Sequence, residues 1–299
     1  MTNRIIVGIC VFLFFQLADY QCLANDPQKW KVGTYSGVLN EINATQLNEL
    51  EDLGFELIEL GVSYLVGKPI EEQKEWISHI NEVMDSSGLK IWSIHIPFGK
   101  SLDISSVDEN DRQRIVKELI SLIDLCSNLR PSKYIIHPSA EPIADSERKI
   151  RMEKSITSLK ELNKFVKDKG ANLAVECLPR TCLGNSSDEI LYLVNSIGDG
   201  IEVCFDTNHL LKEKPEIFAS KVGKYISTVH ISDYDGIDER HWIPGRGIID
   251  WGKVLDELIK CGYKGPWMFE VVPRNNPEME ISNLYQSWLK ILSDYENIK

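Results

Sequence analysis

The sequence predicts a single α/β domain folded as a (β/α)8 barrel. Eight short runs rich in Val, Ile and aromatic residues alternate with amphipathic stretches, as buried parallel strands and their covering helices do. The chain of 299 residues is 43% hydrophobic and 26% charged, which is a globular composition. An open, doubly wound sheet is the alternative, but no Gly-rich dinucleotide-binding loop follows the first run.

No linker or low-complexity segment divides the eight strands. They are expected at KVGTYS (31–36), FELIELGVS (55–63), KIWSIHIPF (90–98), KYIIHPS (133–139), NLAVECL (172–178), IEVCFDT (201–207), YISTVHISD (225–233) and PWMFEVV (266–272).

Helices are expected between these strands. In RIVKELISLIDL (114–125), apolar residues recur every three or four positions, which is the helical period. A shorter helical segment begins at Pro215, since proline is favoured in the first turn of a helix. The clear amphipathic stretches are Glu71–Ser86, Asp111–Asn128, Ser146–Lys169, Ser187–Ser196, Trp251–Cys261 and Pro277–Tyr295.

The first 24 residues have the pattern of a secretory signal peptide. Arg4 precedes an apolar segment at 5–15, and the small residues Cys22 and Ala24 stand at −3 and −1 of a cut after Ala24. The apolar segment is short for a bilayer crossing. We therefore expect export to the periplasm or the medium, no stable membrane span after cleavage, and a barrel formed by 25–299. A retained N-terminal anchor is the alternative.

The net charge and the cysteine count argue against two classes of protein, nucleic-acid binders and disulfide-stabilised scaffolds. The formal net charge of −12 counts against a nucleic-acid partner, because such proteins usually present a basic face. Five cysteines follow the leader, an odd number without a CxxC pair. We expect buried free thiols and not a disulfide scaffold or a structural zinc knuckle.

Ionisable residues end seven of the eight expected strands, where a barrel of this type carries its active site. These residues are Glu59, His95, His137, Glu176, Asp206, His230 and Glu270. Carboxylates buried together repel each other, and a divalent cation removes that cost.

The last four of these residues end the fifth to eighth strands. Since neighbouring strands lie about 5 Å apart, Glu176, Asp206, His230 and Glu270 can converge on one ion. Three carboxylates and one imidazole suit Mn²⁺ or Mg²⁺, and also Co²⁺ or Zn²⁺.

Five segments together resemble the xylose isomerase-like barrel superfamily, which includes ketose 3-epimerases, inosose dehydratases, hydroxypyruvate isomerases and AP endonucleases. The segments are VECLPR, CFDTNH, VHISD, HWIPGRGIIDW and FEVV. The resemblance implies that the four residues above hold the metal and that Glu176 and Glu270 also act as acid and base.

Further residues are expected to face the substrate. The resemblance places His209 and His241 at the pocket, with Arg246 positioned to contact substrate hydroxyls or a carboxylate and Trp242 to stack on a sugar ring. The strand-end positions of His95, His137 and Glu59 also suit contacts with substrate hydroxyls.

The expected function is that of an exported, metal-dependent isomerase or epimerase acting on an unphosphorylated sugar or keto-sugar. Removal of a proton beside the carbonyl would give an enediolate that the metal stabilises. A lyase that eliminates a leaving group from a keto-sugar is the first alternative. An AP-endonuclease-like nuclease, in which Glu239 replaces an aspartate, and an inactive sugar-binding barrel are further alternatives. A homo-oligomer is a possible assembly.

Overall fold

Eight parallel strands surround the axis of the protein. The structure is a computed structural model that describes residues 26–298, so the predicted signal peptide at 1–24 lies outside the described residues. The strands are β1 (Val32–Tyr35), β2 (Leu57–Gly61), β3 (Lys90–His95), β4 (Lys133–Ile136), β5 (Asn172–Glu176), β6 (Glu202–Asp206), β7 (Ile226–His230) and β8 (Trp267–Phe269).

The sheet closes into a barrel. Its strand order is β7-β6-β5-β4-β3-β2-β1-β8, with parallel pairing between neighbours. At the seam between β7 and β8, the Ile231 N–H donates to Met268 O at 2.8 Å and the Glu270 N–H donates to Ile231 O at 3.1 Å. The predicted (β/α)8 barrel is therefore confirmed.

One α-helix follows each strand within residues 26–298. The helices are α1 (Ala44–Asp52), α2 (Ile70–Asp85), α3 (Glu109–Cys126), α4 (Asp145–Asp168), α5 (Ser187–Ile197), α6 (Pro215–Val222), α7 (Trp251–Lys260) and α8 (Ile281–Ile298). The predicted helices are confirmed with ends shifted by a few residues. None of the described helices combines the length and hydropathy that crossing a bilayer requires.

Helix α1 was not among the predicted elements. Only Leu47 and Leu50 are buried on it, so its apolar face is too small to produce a clear helical period. The side chain of Asn43 caps its N-terminus by accepting the Gln46 N–H at 3.0 Å. The cap and the two leucines together fix this helix against the barrel.

Side chains fill the barrel interior near the amino ends of the strands. Lys133 and Glu202, near the starts of β4 and β6, form an ion pair, and the Lys133 ammonium lies 5.4 Å from the Trp92 ring centroid. A small apolar layer of Ile135 and Ala174, with Cys204, lies above them. Side chains at the carboxyl ends of the strands lie beyond this layer and are therefore available to form a site.

The cysteines follow the prediction. Cys126, Cys177, Cys182 and Cys204 are buried free thiols, and Cys261 is a partly buried one. Burial raises the pKa of Cys126 to about 12, so these groups are protonated and serve as apolar packing.

Candidate active site

A cavity of about 640 Å³ opens at the carboxyl ends of the strands. Segments at or after the end of every strand contribute to its wall, as expected for the functional face of this fold. Tyr35, Glu270 and several histidines reach its surface. The cavity is large enough for a small organic substrate.

Three carboxylates converge on one imidazole at the base of this cavity. His230 Nδ1 lies 3.2 Å from Glu176 Oε1, 3.3 Å from Glu270 Oε2 and 3.9 Å from Asp206 Oδ2. Glu176, Asp206 and His230 have no solvent exposure. The structure thus places the three predicted carboxylate ligands around the predicted imidazole, and we call these four residues the carboxylate–imidazole cage. The group of four whose ligand atoms all lie within 4.8 Å of one another contains His95 in place of Asp206.

The cage fits a divalent cation. Asp206 Oδ1 accepts the backbone N–H groups of Asn208 and His209 at 2.6 and 3.2 Å. Among the described residues, Asp206 Oδ2 and Glu270 Oε2 are buried without a hydrogen-bond partner, which is costly for an anionic oxygen. Burial accordingly raises the pKa of Asp206 well above its usual value. A bound cation would remove this cost.

Four imidazoles surround Glu176. His95 Nε2 and His137 Nε2 lie 3.1 and 3.0 Å from Glu176 Oε2, while His209 Nδ1 lies 3.3 Å from Oε1. The fourth is His230. Burial alone would raise the pKa of Glu176, but its imidazole neighbours, His137 and His230 foremost, hold that pKa well below the usual value. Glu176 is therefore an ionised carboxylate, covered by histidines and not itself part of the cavity wall.

A second group of possible metal ligands adjoins the cage. His209, Glu239 and His241 bring one ligand atom each to within 4.8 Å of one another, and His209 Nε2 lies 3.3 Å from Glu239 Oε2. Burial raises the pKa of Glu239, but contacts with His209 and Arg180 outweigh it and lower this pKa to about 2. Glu239 is thus available as an anion beside two imidazoles.

Glu59 does not reach the cavity, although a contact with substrate was expected. It is completely buried and lies behind His230, with Oε1 at 3.0 Å from Nε2. The Ser93 hydroxyl donates to Glu59 Oε2 at 2.6 Å. Its position suits orientation of the His230 ring.

Trp242 and Arg246 also lie outside the cavity wall. The main chain of Trp242 pairs with Asp233, and Arg246 is exposed. The buried carboxylate of Asp233 accepts the Gly245 N–H at 2.8 Å and the Trp251 indole N–H at 3.2 Å. These bonds fix the path of the loop, of which His241 lines the cavity and Trp242 and Arg246 do not.

Sequence reasoning missed many residues of the wall, and Tyr35, Phe98 and Arg180 are three of them. The Tyr35 hydroxyl is neutral, because burial, reinforced by Glu270 and Glu59, raises its pKa to about 12. Phe98 stacks on His137 with ring centroids 3.9 Å apart. Arg180, in the VECLPR segment, binds carboxylates of two loops. A tyrosine ending β1 was a usable signal, but the other two positions depend on loop conformation.

The comparisons with known proteins agree with this architecture. Residues 47–292 match the family model described as a xylose isomerase-like TIM barrel. D-psicose 3-epimerase of Ruminiclostridium cellulolyticum is 23% identical over 264 residues, covering 84% of this chain and 83% of that protein. Fructoselysine 3-epimerase of Escherichia coli O157:H7 is 25% identical over 148 residues, 46% of this chain and 53% of that protein.

Solved structures share the fold across most of the chain. A D-tagatose 3-epimerase-like protein superposes with a TM-score of 0.73 at 23% identity, covering 90% of this chain and 97% of its own. D-psicose 3-epimerase from Clostridium cellulolyticum H10, solved with D-tagatose, superposes with a TM-score of 0.72 at 19% identity, and the match covers 90% of this chain and 99% of that one. The family match spans more than half of the sequence, so the chain belongs to the xylose isomerase-like TIM barrel family.

Proposed function

We propose that this protein is a metal-dependent sugar epimerase or isomerase. The observation that carries the proposal is the convergence of Glu176, Asp206 and Glu270 on His230 at the base of a cavity. Relatives named as sugar 3-epimerases support the reaction class. A divalent cation bound to the cage would stabilise negative charge on a substrate carbonyl oxygen as the adjacent C–H proton leaves.

The chain's own residues divide the remaining work. Glu270 lines the cavity, and His230 and His241 offset burial to hold its pKa below the usual value, so it is ionised and able to accept a proton. Glu176 contacts the same Nδ1 atom of His230 as Glu270 does, behind the histidines that cover it, and is the candidate to return a proton. Tyr35 presents a neutral hydroxyl to the cavity, suited to donate to a substrate oxygen.

Deuterium exchange tests this proposal. Metal-loaded protein is incubated with ketoses and 3-keto-glycosides in D₂O, and the products are followed by NMR. We expect deuterium at one carbon of an otherwise intact sugar, no exchange after complete chelation, and recovery when metal is restored. Exchange that persists after the metal has been removed would contradict the proposal.

Variants of the two glutamates test their part in the exchange. Glu270→Gln is expected to lower exchange by about 10²–10⁴-fold, the contribution typical of an acid–base group, and Glu176→Gln to do the same. Glu75→Gln is the control, because this substitution removes the same charge from an exposed position on α2. An inactive sugar-binding barrel would bind sugar without exchange in any of these proteins.

The same site also suits a lyase. After proton removal beside the carbonyl, expulsion of a leaving group from the next carbon competes with reprotonation. Loss of water or of an aglycone from a 3-keto-glycoside would identify this reaction, whereas a retained skeleton identifies the epimerase or isomerase.

A multinuclear nuclease is favoured by one observation, the second ligand group of His209, Glu239 and His241. Metal analysis separates the cases, because the proposed epimerase needs one cation per chain. About three zinc ions per chain, together with cleavage of abasic-site DNA, would favour the nuclease.

Export to the periplasm or the medium is part of the proposal and is supported by the leader pattern in residues 1–24. Fractionation of the native host tests it, with the mature N-terminus expected at Asn25. Sedimentation of the purified protein would show whether it forms a homo-oligomer.

A further inference from the structure

The wall of the cavity is electrically asymmetric. The carboxylates that line it are Glu141, Glu239 and Glu270, and they follow or end β4, β7 and β8. The segments after β1, β2 and β3 add no carboxylate to the described wall, and the last of them adds the cation of Lys100. The segment after β8, which neighbours β1, adds Arg274.

Three carboxylates at the opening are paired with one arginine. Arg180 lies 2.5 Å from Glu141 Oε1, 2.9 Å from Glu239 Oε1 and 2.7 Å from Asp238 Oδ1. This arginine is committed to the protein's own carboxylates and is not free to bind a ligand anion.

Lys100 and Arg274 are in the opposite situation. Neither has a carboxylate within 4.0 Å among residues 26–298, in contrast to Arg180. Both are exposed at the wall in a chain whose net charge is −12. Outside the cavity, Arg274 also borders a surface groove that carries Glu49, Asp52 and Glu280, and Lys100 borders one that carries Asp103, Asp111 and Glu141. The unpaired charge facing the cavity from this side is therefore positive.

The placement of the two cations is specific. The strand order β8-β1-β2-β3 sets Arg274 and Lys100 at the two ends of one arc of the opening. The cage is built at the ends of β5 to β8, so Glu270, which follows β8, adjoins one end of this arc. A cavity of about 640 Å³ has the volume of about twenty water molecules, more than one hexose ring requires. A ligand at the cage can thus extend to this arc.

We propose that the cavity takes a sugar that carries an anionic group, such as a ketouronate, with its carboxylate at the arc that carries Lys100 and Arg274 and its reacting carbons toward Glu270. Ammonium and guanidinium groups form charge-assisted hydrogen bonds with carboxylates, the latter often through two parallel N–H donors. The orientation of the sugar rests on the proposed function, whereas the preference for an anion does not.

Calorimetric binding to the metal-loaded protein tests this preference. The probes are D-fructose and D-fructuronate, which differ only in replacement of the terminal CH₂OH by a carboxylate. We expect D-fructuronate to bind at least about tenfold more tightly, the size of one charge-assisted hydrogen bond. The advantage should shrink as salt is added, because exposed charges are screened.

Matched variants separate local contacts from the overall field. Lys100→Met and Arg274→Met should each weaken D-fructuronate binding by about five- to tenfold and leave D-fructose binding unchanged. Lys117→Met on the outside of α3 and Arg130→Met before β4 remove the same charge away from the cavity. These two controls should bind D-fructuronate as the wild type does.

Two results would overturn the inference: equal affinity for the two sugars, or equal weakening by all four variants. Tighter binding of D-fructose 6-phosphate than of D-fructuronate would overturn the assignment to a carboxylate. The proposed function fails separately, if tightly bound sugars show no exchange in D₂O. If D-fructose exchanges deuterium but D-fructuronate binds no more tightly than D-fructose, only the inferred preference for an anionic sugar is contradicted.

Discussion

Glu59 contacts His230 through the ring nitrogen opposite the one that faces the cage. The Nε2 atom forms a hydrogen bond with Glu59 Oε2 at 3.1 Å, while Nδ1 lies 3.2 Å from Glu176 Oε1. A carboxylate on Nε2 keeps the proton there and leaves the Nδ1 lone pair free for a cation. Such partners orient metal-binding histidines and raise their basicity.

Replacing Glu59 should therefore weaken metal binding without changing any residue of the cavity wall. We expect Glu59→Gln, which keeps an acceptor but loses the charge, to lower the affinity by about tenfold and Glu59→Leu by about 100-fold. Competition with a coloured chelator measures both. Ser93→Ala removes only the 2.6 Å bond to Glu59 and should have a smaller effect. Wild-type affinity in Glu59→Leu would refute this role.

Arg180 joins the loops that follow β4, β5 and β7. Its contacts with Glu141 and Glu239 hold Glu239 beside His209. We expect Arg180→Met to release the β7 loop and lower kcat/KM by about 10–100-fold, the cost of misplaced active-site groups. Faster amide exchange at 235–241 should accompany this loss.

Asp238→Asn provides the graded comparison, because it removes one of the three carboxylates from Arg180 and leaves the contact with Glu239. Its effect on turnover and on amide exchange should be the smaller of the two. If Arg180→Met changes turnover while the exchange of the loop stays at the wild-type rate, Arg180 acts on the substrate and not on the loop.

The sequence was informative where topology and strand alternation determine position. In a barrel of short parallel strands, the last inward residue of each strand must face a common centre. Glu176, Asp206, His230 and Glu270 could therefore be grouped from the sequence alone. The same reasoning placed Glu59 at the substrate, whereas it lies behind His230. Strand periodicity shows that a side chain points inward but not whether another side chain separates it from the cavity.

Loop conformation accounts for most of what was missed. Arg180 adopts a left-handed conformation with φ of 48°, and this turn, which no hydrophobic period encodes, directs it toward three carboxylates. Trp242 and Arg246 were expected at the substrate because they share a segment with His241. Four N–H donors bound to Asp233 determine the path of that segment, and their pairing is visible only in the structure.

Gly247 tests how tightly this loop is packed. A Cβ at Gly247 would lie 2.1 Å from Tyr234 O and 2.2 Å from Asp233 Oδ1, so Gly247→Ala should destabilise the protein by about 1–3 kcal/mol, as overpacking does. Gly252→Ala is the control, since its nearest neighbour is 3.5 Å away. Chemical denaturation measures both free energies. Equal stability of the two variants would show that the loop adjusts without cost.

Buried thiols should make the protein lose stability at high pH. Burial raises the pKa of Cys126 from 9.0 to about 12, so the unfolded chain releases this proton first. Above about pH 9 the unfolded state binds fewer protons than the folded state, and the free energy of unfolding falls as pH rises. One such thiol contributes up to about 1.4 kcal/mol per pH unit.

Urea unfolding of Cys126→Ala tests this. Between about pH 9.5 and 11 its free energy of unfolding should decline less steeply than that of the wild type. Between about pH 7 and 8, where the thiol is protonated in both states, the two proteins should show a parallel dependence. Identical slopes in the alkaline range would show that the folded protein ionises Cys126 as readily as the unfolded chain does.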